Sequence, residues 1–115
     1  MPFRRLEDIL ENIERIERYA KGYDFERFHE DQQCRDANER CLARISEAAK
    51  KREGIVDTIA PDVPWPDIRG LGNVLRHEYD NVYPDSIWAI VVNDLRPLKQ
   101  AVAAIIRSSR LGGPP

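Results

Sequence analysis

Apolar residues recur at every third or fourth position along four long stretches of the chain, and no stretch shows a convincing alternation at every second position. That spacing predicts helices with one buried stripe each. In the first stretch, residues 3–21, the stripe is Leu6, Ile9, Leu10, Ile13, Ile16 and Ala20, and Glu7, Glu11, Glu14, Arg15, Glu17 and Arg18 form the outer face. Gly22 supplies a stop signal, and Asp24 a cap for a short helical piece through Phe28. The second stretch, about 31–52, carries Cys34, Ala37, Cys41, Ile45, Ala48 and Ala49, with Leu42 at the edge and Gly54 as the stop. Pro61, Pro64 and Pro66 cannot sit inside a helix, so 55–66 reads as a loop packing Val63 and Trp65 inward. The third stretch starts near Pro66, a favoured first-turn residue, and runs to about Asn81. The fourth follows Tyr83 and Pro84, with Asp85 or Ser86 near the cap. It buries Ile87, Trp88, Val91, Leu95, Leu98, Val102, Ile105 and Ile106. Pro97 predicts a kink at the preceding turn, and Ser108 onward predicts a frayed tail. Together these give an all-α, up-and-down four-helix bundle with a short extra helical piece. One domain, 1–110, is expected, with a flexible tail at 111–115.

Size and charge narrow the function. The chain has 115 residues, 18 basic against 20 acidic, and a net charge of -2. That is one domain's worth, without the basic excess of a protein that binds nucleic acid through bulk charge. Any contact with RNA has to be local. No run approaches the roughly 18 apolar residues of a membrane span, and the opening residues lack the apolar core of a signal peptide. A cytoplasmic protein with reduced thiols is expected. Cys34 and Cys41 are seven residues apart, two helical turns or roughly 10 Å. That separation is too long for a disulfide, and both read as small buried hydrophobes. With two cysteines and two histidines, a closed zinc site within one chain is not expected. No cofactor is expected either.

The third stretch holds the chemistry. On an ideal helix of roughly 100° per residue, Leu71, Leu75, Tyr79 and Val82 fall within about 60° of Ile68, the core side. Arg69, Asn73 and His77, spaced four apart, make a ridge two turns long, with Arg76 and Asp80 nearby. His77 points nearly opposite Ile68. An imidazole that titrates near neutrality, beside fixed positive charge, suits phosphodiester chemistry. It can take a proton from a ribose 2′-hydroxyl or give one to a leaving 5′-oxygen. An arginine can neutralise charge growing on the phosphoryl oxygens. Gly70 and Gly72, each costly in a helix interior, imply irregular backbone or the close approach of another surface, either a neighbouring helix, a second copy of the chain or a phosphate backbone.

At these residues the chain resembles the HepT-like proteins of the HEPN superfamily, minimal helical ribonuclease toxins paired with a small nucleotidyltransferase antitoxin called MNT. The resemblance covers nearly the whole chain. It rests on Arg5-Leu6-Glu7-Asp8-Ile9-Leu10, on Asp36-Ala37 with Ile45-Ser46-Glu47-Ala48-Ala49 (where the usual run is Ile-Gly-Glu-Ala), and on Pro64-Trp65, Asn73 and His77-Glu78-Tyr79. Trp88 and Asp94-Leu95-Arg96-Pro97-Leu98 extend it to the last helix. The resemblance implies a homodimer whose facing third helices form a composite cleft that cleaves RNA without metal. It carries over His77 as acid/base and Arg69 as phosphate stabiliser, with Arg76 as the other candidate for that arginine, while Asn73 and Arg76 on the same side of the helix are expected as supporting phosphate contacts. It also implies that Tyr79 is AMPylated by the antitoxin, which neutralises the toxin. The usual arginine stands directly before Asn73, where this chain has Gly72. Arg69 precedes His77 by seven intervening residues, one more than the usual pattern. The alternative is a non-catalytic HEPN-type dimerisation module that binds nucleotide, or a nucleotidyltransferase partner, through the same ridge.

Overall fold

The computed structural model describes residues 4–51, 61, 65–66, 68–70 and 84–110, and every regular element among them is helical. The first helix, α1 (Arg4–Ala20), buries Leu6, Ile9, Ile13 and Ile16 and exposes Glu7, Glu11 and Glu14. It stops where Gly22 turns left-handed at a φ of 79°, a conformation that a side chain would strain. Asp24 then caps α2 (Phe25–Glu30), accepting from the Arg27 N–H at 2.9 Å. This helix runs two residues past the expected end at Phe28. The Asp31 N–H closes it by donating to the carbonyls of Arg27 and Phe28.

Asp31 also starts α3 (Gln32–Lys51). One carboxylate oxygen accepts from the Cys34 N–H at 2.9 Å and the other from the Tyr23 hydroxyl at 2.6 Å. A single residue thus joins the end of α2 through its main chain, and the turn after α1 and the cap of α3 through its side chain. These two bonds, Tyr23's first, hold the Asp31 carboxyl below the usual carboxylate range. The same bond holds the Tyr23 hydroxyl up. Because the folded carboxyl is depressed, the charged form contributes stability above about pH 4, the ordinary Asp value. That contribution is lost as pH falls through the depressed value. Asp31→Asn is therefore expected to be less stable than wild type at pH 7 and to lose less on acidification. Urea unfolding at pH 7 and pH 3 checks this, and parallel losses in the two proteins would contradict it.

On α3, Leu42 is fully buried rather than at the edge, alongside Cys41, Ile45 and Ala49. Its small neighbours let α1 and α3 approach closely, so the stripe is wider than the sequence suggested. Cys34 and Cys41 are buried free thiols, as expected. The Cys34 thiol donates to the Tyr19 carbonyl at 3.5 Å, which sets the start of α3 against the end of α1, so the pair is antiparallel.

The last helix comprises α4 (Pro84–Ala89), a π-helical turn (Ile90–Asp94) and α5 (Leu95–Arg110). It begins at Pro84 itself, a residue that gives up no useful N–H in a first turn. The expected kink before Pro97 takes the form of the π turn. The Pro97 ring crowds the carbonyl four residues back, that of Asn93, and the turn is widened around that residue. The helix continues through Ser108 to Arg110 instead of fraying. Lys99 bonds Glu17 at 2.8 Å, so α5 also runs back along α1. Ile87, Leu95, Leu98, Val102 and Ile106 complete the core, and the Phe28 ring tilts against Trp88 at 5.1 Å. Gly54, Val63, the stretch 71–83 and the tail 111–115 lie outside the described residues.

Candidate functional site

Trp65 is where the third stretch joins the core: it is 1% exposed and already helical, one residue before the expected start at Pro66. Ile68 follows, half-buried and packed on the core, as the helical wheel predicted. Arg69 comes next, half-buried. Its main-chain carbonyl accepts from the Ser46 hydroxyl at 2.8 Å, and its Nε donates to the Ala49 carbonyl at a long 3.4 Å. Both partners belong to α3, so Arg69 lies against that helix at its main chain and at its side chain. Among the described residues, no atom lies within 4 Å of where a Cβ on Gly70 would sit. Packing on a described helix therefore does not explain that glycine.

Of the candidate catalytic, phosphate-contacting and modified residues, only Arg69 falls among the described ones. His77, Asn73, Arg76 and Tyr79 lie outside them. Ser46 and Ala49 were not singled out for the site. Ala49 acts through a backbone carbonyl, which leaves no mark on side-chain type. Ser46 did carry a signal, a lone hydroxyl inside the Ile45–Ala49 run.

Away from this segment, a groove of about 300 Å³ lies between the end of α1 and the last helix. Ile16, Tyr23, Trp88, Val91 and Leu95 line it, and Glu17, Lys21 and Arg96 are also at its wall. Among the described residues, no three His, Cys, Asp or Glu side chains gather to hold a metal ion. None of the described helices is long and apolar enough to cross a membrane.

The helical architecture, with an arginine-bearing segment anchored on α3, fits the class suggested by the His77 motif. The model of the family described as "Ribonuclease HepT-like" matches residues 9–105, and the chain belongs to that family. It is similar to a Thermococcus cleftensis protein named "Probable ribonuclease HepT", 34% identical over 82% of this chain and 86% of that one. It is also similar to proteins named "Putative RNase" from Methanocaldococcus jannaschii and Caldanaerobacter subterraneus. The first is 31% identical over 87% of this chain and 92% of its own. The second is 31% identical over 91% and 94%. No solved structure matches.

Proposed function

We propose that this protein is a metal-independent endoribonuclease that works as a homodimer and serves as the toxin of a cytoplasmic HepT/MNT-type pair. The family match over 9–105 carries this reading, because it spans the whole Arg69–Tyr79 stretch. RNA is the substrate. His77 takes the proton from a ribose 2′-hydroxyl, the 2′-oxygen bonds to phosphorus, and the bond from phosphorus to the 5′-oxygen breaks. The 5′-oxygen leaves with a proton from an imidazole, which the second copy of His77 can supply in a composite cleft. Arg69 stabilises the charge on the phosphoryl oxygens, with Asn73 and Arg76 as further phosphate contacts. An arginine steadied on α3 suits this work, since a group already oriented needs little reorganisation as charge develops.

Neutralisation follows from the same cleft. An MNT-type nucleotidyltransferase transfers AMP from ATP to the Tyr79 hydroxyl and releases pyrophosphate. The added adenylate is bulky and anionic, so it fills the cleft and repels RNA. Purified protein is expected to cleave single-stranded RNA in excess EDTA, leaving 5′-hydroxyl ends, and less so as salt rises. Cleavage that appears only when divalent metal is restored would overturn the metal-independent mechanism.

Gly72, in the place of the usual arginine, favours a second reading: a non-catalytic dimerisation module that binds nucleotide or the nucleotidyltransferase. A stable complex with that partner, from a protein that cleaves no RNA under any condition, would select it.

A further inference from the structure

Ser46 faces inward on α3 and is 1% exposed. A buried hydroxyl needs a partner, and this one reaches across to another segment, to the Arg69 carbonyl at 2.8 Å. That carbonyl stands four residues before Asn73 and eight before His77 in the sequence. One turn further along α3, the Ala49 carbonyl receives the Arg69 Nε. Positions three apart on a helix are neighbours on one face, so a single ridge of α3 holds Arg69 twice. Among the described residues, nothing lies within 4 Å of where a Cβ on Gly70 would sit, and the sequence places Gly72 two residues on. A glycine restrains its own backbone little, so the contacts made at Arg69 matter to how this residue is held.

We infer that Ser46 is a positioning residue for the ribonuclease site. Its hydroxyl fixes the Arg69 main chain against α3, and with it the line along which the Arg69 guanidinium meets phosphate. The catalytic half of this assignment rests on the ribonuclease reading above. The anchoring half does not.

Ser46→Ala and Ser46→Cys separate the two. Alanine is the better helix former, so α3 itself is not weakened. Cysteine keeps the volume but is a weak donor. In both variants, amide hydrogen exchange at Arg69 and Gly70 is expected to quicken by about tenfold, while the Ile13 and Val102 amides keep their wild-type rates. RNA cleavage is expected to lose kcat with KM little changed, the mark of geometry lost in the transition state rather than in binding. Unchanged exchange at Arg69 and Gly70, or equal acceleration in every helix, would overturn the anchor. Altered exchange with unchanged kcat would overturn the catalytic role. A wild-type protein that cleaves no RNA would also overturn that role, through the reading it rests on. The exchange pattern, measured without RNA, still decides the anchor.

Discussion

Protein carrying His77→Ala is expected to lose RNA cleavage by a factor of about 10² to 10⁴, the usual worth of a positioned acid/base group. Its circular dichroism and thermal melt should stay those of wild type. Imidazole is the side chain that titrates unperturbed between pH 5 and 8, and His77 is the only histidine in the 65–79 stretch. The helical spacing puts it nearly opposite Ile68, and Ile68 packs on the core. On that spacing the ring is expected to face outward, so its removal is expected to cost no buried area, and alanine is a good helix former. The loss should therefore be chemical and not structural. Plotted against pH, the residual rate should also lose the limb that wild type owes to this imidazole. Cleavage at the wild-type rate by His77→Ala would remove His77 from the mechanism.

The second large effect is on stability. Trp65→Ala is expected to cost about 3–5 kcal/mol, the range for removing a fully buried large aromatic. Against the 5–15 kcal/mol that usually holds a small domain together, that is a severe loss. With a slope near 2 kcal/mol/M, the urea midpoint should fall by about 2 M. Trp65 is 1% exposed and stands four residues before Arg69. The same change therefore loosens the join between the core and the Ser46 contact. A shift of under about 0.5 M would mean that the indole is not packed as tightly as its burial implies.

Much of this fold is written in local signals. The left-handed turn at Gly22, the Asp24 cap and the Ile9–Ile13–Ile16 stripe each follow from one residue type at one spacing. Other features depend on partners that the sequence does not display. Leu42 reads as an edge residue on a wheel of its own helix, and only packing against the rest of the core buries it. Pro97 announces a disturbance, but periodicity does not distinguish a kink from a π turn, since either keeps the apolar residues inward. At the site, the His77-Glu78-Tyr79 motif and its arginines were legible as chemistry, and the family match agrees with that resemblance. The anchoring of Arg69 was not legible, because an acceptor carbonyl has no residue signature. Ser46 was visible as a departure from the usual glycine, but its partner came only from the three-dimensional arrangement.

The two cysteines bear on how assembly can be measured. Burial pushes both thiols up, most strongly by desolvation, so each sulfur is kept neutral and away from solvent. A neutral, covered thiol is a poor nucleophile toward another chain's sulfur. The proposed homodimer is therefore expected to have no covalent shortcut, and its population to follow protein concentration. Dilution should separate the copies, whether or not reductant is present. If cleavage needs two copies of His77, the specific rate will fall on dilution along the same curve.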